Sequence, residues 1–116
     1  AEAMAETGDL SGARNLVNEI RARVGMPSVE DVEGTGLSQQ EMIDLVRHER
    51  RVELALEGLR FMDLKRWGEM ESAVTRASLD PIGSYSPQFL GPKTLVFPIP
   101  QSEIDVNPNL TQHSAW

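Results

Sequence analysis

The sequence predicts a mainly α fold: a helical hairpin, a long helix kinked at Gly58, and an irregular proline-rich tail. Three observations carry this expectation. Leu10, Ala13, Val17, Ile20 and Val24 recur at intervals of three and four, which puts them on one helical face. Ser38 and Glu41 form a Ser-x-x-Glu capping box, the signature of a helix start. Six of the seven prolines fall between Pro81 and Pro108, where the composition changes.

The elements follow in order. Ala1 to Thr7 is helix-friendly and ends at Gly8-Asp9. Asp9 or Ser11 caps the next helix, which stops at Gly25, a natural C′ residue, with Pro27 forbidding continuation. The opening reads as one unit of a helical-hairpin repeat, with Gly8 at the turn and small Ala13 at the close contact. Such repeats bury both faces only against neighbours, and only one copy is present. Because Ala1 also opens inside a helix, the chain is expected to be a piece of a longer protein. Met4 and Leu16 lie off the apolar stripe and on that expectation face a missing neighbour. Exposed apolar patches find partners, so the isolated chain is expected to self-associate. Sedimentation at several concentrations checks this, and a strictly monomeric species with a cooperative melt would overturn it.

Ser28 to Gly36 is acidic, contains two glycines and reads as a loop. The helix opened by Ser38 has Leu37 and Met42 placed for a hydrophobic staple. It is expected to run to about Glu57, where Gly58 breaks or kinks it. A second segment then runs from Leu59 to Trp67 and closes at Gly68. Beyond Pro81, Thr94 to Phe97 reads as a short extended run. Ser102 to Val106 reads as one helical turn capped by Ser102, and Asn107 to Trp116 as irregular. The divisions expected are therefore 1–25, 37–68 and 81–116.

The 116 residues suit one small domain, and with 40% hydrophobic but 5% aromatic residues its core must be mostly aliphatic. Charged residues make up an ordinary 25%, without low-complexity tracts, which argues against wholesale disorder. Eighteen acids against 11 bases give a net charge of −7. That sign argues against nucleic acid, which needs a basic footprint, and against attachment to an acidic leaflet. The absence of cysteine excludes disulfides, thiolate zinc sites, cysteine nucleophiles and iron–sulfur clusters. No apolar run approaches about 18 residues, so no helix spans a bilayer.

On a helical wheel, Met42, Leu45, Val46, Val52 and Leu56 share a face. Glu49 and Glu53 fall near its middle and Glu57 at its edge. A carboxylate facing a core is costly unless paired. Basic partners are near: Arg50, Arg60 and Arg66 flank the acids, Arg14 and Arg21 border the apolar face of the preceding helix, and Asp63 sits three residues from both Arg60 and Arg66. Three readings compete. The first is a structural ion-pair network of Glu49, Arg50, Glu53, Glu57, Arg60, Asp63 and Arg66. The second is a glycosidase pair, for which Glu49 and Glu53 could reach the short end of the required separation of about 5–10 Å. Arginine neighbours favour the charged carboxylate, the wrong direction for a general acid. The third is a carboxylate metal site, but Glu-x-x-His pairs are missing, His48 points away from Glu49, and His113 is in the tail. The network is favoured, with no catalytic residue, no metal and no cofactor. No nucleophile elbow or phosphate loop occurs. Trp67 reads as packed core. Tyr85, Phe89 and Trp116, aromatics in irregular segments, are the candidate ligand contacts.

The segment from His48 through Glu49-Arg50-Arg51-Val52-Glu53-Leu54-Ala55-Leu56-Glu57-Gly58-Leu59-Arg60-Phe61-Met62-Asp63-Leu64-Lys65-Arg66-Trp67 to Gly68 closely resembles the hallmark of the SusD/RagB family. A second resemblance begins at Phe97-Pro98-Ile99-Pro100-Gln101 and runs to Gln112. Val17-Asn18-Glu19-Ile20-Arg21-Ala22-Arg23-Val24-Gly25 resembles the family's helix ahead of the hallmark. The matches stand in family order. The resemblance implies a lipid-anchored cell-surface protein of Bacteroidota-type bacteria, mostly helical and built on tetratricopeptide-like hairpins. Such proteins bind glycans or other nutrient oligomers and lid a SusC-like TonB-dependent outer-membrane transporter; they bind and deliver without catalysing. On this resemblance, residues 1–116 are the C-terminal portion of a longer protein, and 1–25 the end of its hairpin region. His113-Ser114-Ala115-Trp116 departs from relatives, which often carry Asn-Pro-Gly and an aromatic there. The rival expectation is a helical protein–protein adaptor without a glycan ligand.

Overall fold

The computed structural model describes residues 1–79 and 87–116; Pro81 and Tyr85 lie outside the described residues. Among the described residues the regular structure is entirely helical, so the chain is mainly α as the sequence predicts. No helix among them is long and apolar enough to cross a membrane. The chain divides into two compact units, Ala1–Arg60 and Phe61–Trp116.

The first unit contains α1 (Glu2–Glu6), α2 (Leu10–Arg23), α3 (Val29–Glu33) and α4 (Gln39–Glu53). Asp9 is the cap of α2: its carboxylate accepts from the Gly12 N–H at 2.9 Å. Gly8 and Gly25 follow α1 and α2 with φ of 89° and 72°, a left-handed turn that costs an L side chain strain. There the Asp9 N–H reaches the Met4 carbonyl and the Met26 N–H the Arg21 carbonyl, each at 2.9 Å, satisfying the last carbonyls of the two helices. Ala5, Ala13, Val17, Val29, Met42, Ile43 and Val46 form the core. α1, α2 and α4 pack on one another around it. Gln39 holds α1 on the start of α4 by donating its amide to the Ala5 and Glu6 carbonyls at 3.0 and 2.9 Å.

Three expectations change here. Val24 is 56% exposed, because it is the residue after the last turn of α2 and has left the helical stripe. Residues 28–36 are not all loop. Ser28 caps α3 with Asp31 in a full capping box, and the Asn18 side-chain Oδ1 accepts from the Val29 N–H at 2.8 Å. The acid at the box position is aspartate, and only the fold brings Asn18 to the cap. Finally, α4 ends at Glu53, not Glu57. Leu56 and Gly58 are left-handed (φ 68° and 77°), so the chain turns before α5. Val52 and Leu56, assigned by the wheel to the core face, are exposed as a result.

The second unit holds most of α5 (Arg60–Trp67), followed by α6 (Met70–Ser78), α7 (Pro92–Leu95) and α8 (Gln101–Val106). Asp63, Leu64 and Met70 are its buried residues among those described. α6 lies where the sequence reading assigned no element. Thr94 and Leu95, expected to be extended, belong to α7. Pro92 is preset for a first helical turn, and the Thr94 hydroxyl accepts from the Leu90 N–H at 2.8 Å. The turn expected at Ser102 exists as α8 but starts at Gln101 after Pro100, without a side-chain cap, so Ser102 is not its cap. The tail is irregular but tied down. The Gln112 side chain accepts from the Ile99 N–H at 3.1 Å and donates to the Ile99 carbonyl at 3.0 Å. One side-chain amide thus satisfies the backbone of a residue flanked by two prolines.

The box opening α4 is complete: Glu41 accepts from the Ser38 N–H at 2.8 Å and from its hydroxyl at 2.6 Å. The Ser38 hydroxyl bond, then the Ser38 backbone bond, hold the Glu41 carboxyl below the ordinary range. The Asn18 amide does the same for Glu30, chiefly through its hydrogen bond, with the Arg14 charge adding to it. Both folded values are depressed, so the stability they contribute is full above the ordinary carboxylate range. It is lost as pH falls through that range to the lower folded values. Thermal melts at about pH 6 and about pH 3 should show a falling midpoint. Ser38→Ala combined with Asn18→Ala should shrink that fall. An unchanged fall in the double variant would remove these two carboxylates from the explanation.

Candidate functional site

The helical faces of the first unit bring charges together in two layers. Arg21, one turn beyond Val17 on α2, points into the interface with α4 and is 5% exposed. Its Nε and one terminal nitrogen both lie 3.1 Å from Glu49 Oε2. Glu49 is itself buried among the core residues of α4. One turn outward, Arg23 pairs with Glu53. This second pair is at the surface: Arg23 and Glu53 side chains are 62% and 36% exposed. Glu53, which the wheel places near the middle of the apolar face and so in the core, is therefore exposed instead, because α4 ends there and the chain turns away. Around the rim, Arg14 meets Glu30 at 3.6 Å and Arg47 meets Glu6 at 3.3 Å.

Glu49 and Glu53 border a cleft of about 440 Å³ between α1, α2 and α4. Val17, Ile20, Val46 and Leu54 give it an apolar floor, and Glu2, Glu49, Arg50 and Glu53 edge it. Glu57 is exposed in the turn, and Arg60 opens α5. In the second unit the buried Asp63 carboxylate accepts from Arg66 Nε at 3.0 Å, three residues on. The Arg66 guanidinium also lies 4.7 Å from the Trp67 ring centroid, within cation–π range.

Sequence reasoning named Glu49, Glu53, Asp63 and Arg66 as ion-pair members. It offered Arg21, at the border of the apolar stripe, as a basic partner without including it in the network, and it missed Arg23. Arg21 was findable, since it stands four and eight residues beyond Val17 and Ala13. Arg23 left no signal, because its partner is 30 residues away on another helix.

Among the described residues no group of three or more Asp, Glu or His side chains is placed to hold a metal ion. His48 is exposed, beside a shallow crevice edged by Glu33, Glu41 and Asp44. Of the candidate ligand aromatics, Tyr85 lies outside the described residues and Phe89 is half-buried. Trp116 is 49% exposed. Its indole N–H donates to the Val96 carbonyl at 2.7 Å, and Lys93 Nζ stands 5.1 Å from its ring centroid. Phe61 and Phe97 form a tilted pair with centroids 6.2 Å apart, and Phe97 is 81% exposed.

Comparison with known proteins gives one positive result. No curated protein matches the chain, and no solved structure matches it. The family model described as SusD family matches residues 1–116, the whole of the sequence. The capped α4, its arginine-paired glutamates and the α5 segment are thus features of a chain that belongs to the SusD family.

Proposed function

We propose that this chain is part of a cell-surface protein that binds a glycan or other nutrient oligomer and delivers it to a SusC-like TonB-dependent transporter of the outer membrane. The observation that carries this reading is the family match along all 116 residues. In this reading the protein is a binder, not an enzyme. Glu49, Arg50, Glu53, Glu57, Arg60, Asp63 and Arg66 serve as scaffold charges. The pairing of Glu49, Glu53 and Asp63 with guanidinium groups supports that role. Tyr85, Phe89 and Trp116 remain the candidate sugar-stacking aromatics.

Glycan-affinity electrophoresis of the full-length protein carrying this chain is the test. Retardation by at least one polysaccharide or oligosaccharide is the expected result. No retardation across the panel, with tight binding to a protein, would replace this reading with a helical adaptor. Hydrolysis of the panel by the pure protein would overturn the binding-only role.

A further inference from the structure

We draw no further inference here: the strongest candidate, the cleft between α1, α2 and α4, has its carboxylates Glu49 and Glu53 already held by Arg21 and Arg23, and nothing in the structure shows what covers its apolar floor.

Discussion

Replacing Glu49 with alanine is expected to cost the chain about 3–5 kcal/mol of stability. The reason lies in what remains. Arg21 is 5% exposed and directs two nitrogens at the lost carboxylate oxygen. Without Glu49 its charge is left in the interface between α2 and α4. A buried pair is worth little compared with a well-packed apolar one, but half of a pair is expensive. The double variant Arg21→Met with Glu49→Leu should therefore recover most of the loss. Glu53→Gln supplies the contrast. Its partner Arg23 is 62% exposed, so water and salt already screen the charge, and the change should stay within about 1 kcal/mol. Urea unfolding of the four proteins separates the cases. If Glu49→Ala costs less than about 1 kcal/mol, the pair does not hold the helices together. If Glu53→Gln leaves stability unchanged but abolishes ligand binding by the protein, Glu53 belongs to a binding site and not to the scaffold.

Met42→Ala should be comparably damaging, at about 2–5 kcal/mol. Met42 is among the largest fully buried side chains and belongs to the cluster of Ala5, Ala13, Val17 and Val29. Its removal leaves a cavity bounded by helices that are already in contact, so the site collapses only partly. Since a domain's whole stability is about 5–15 kcal/mol, the loss would show as a markedly lower thermal midpoint. Met42→Leu keeps nearly the same volume and should cost less than about 1.5 kcal/mol. Equal midpoints for the alanine and leucine variants would mean that Met42 does not fill the core as the structure indicates.

Helix starts and stops carried by adjacent residues were legible without a fold. Asp9 before the Leu10 stripe, Gly25 ahead of Pro27, and Ser38 with Glu41 each act within a few residues, and each appears as expected. The wheel also located a glutamate on the core face of α4, because a period of 3.6 projects Glu49 beside Met42 and Val46. Its error began at Val52, which is 58% exposed. Leu54, Ala55 and Glu57 are good helix formers, and nothing in their propensities announces a left-handed Leu56.

What the sequence by itself determined is the α class, the caps of α2 and α4, the inward face of α2 and α4 up to Val46 and Glu49, and the family likeness. Those rest on local periodicity and on strings of neighbouring residues. Only the tertiary structure decided that Arg21 and Arg23 are the partners of Glu49 and Glu53, that Asn18 caps α3, and that Gln112 holds Ile99. These contacts join residues 11 to 30 positions apart. A side chain's reach across helices depends on how they pack, and no local pattern encodes it. The same holds for the exposure of Glu53: charge and spacing place it on the apolar face, but the end of α4 turns it out to solvent.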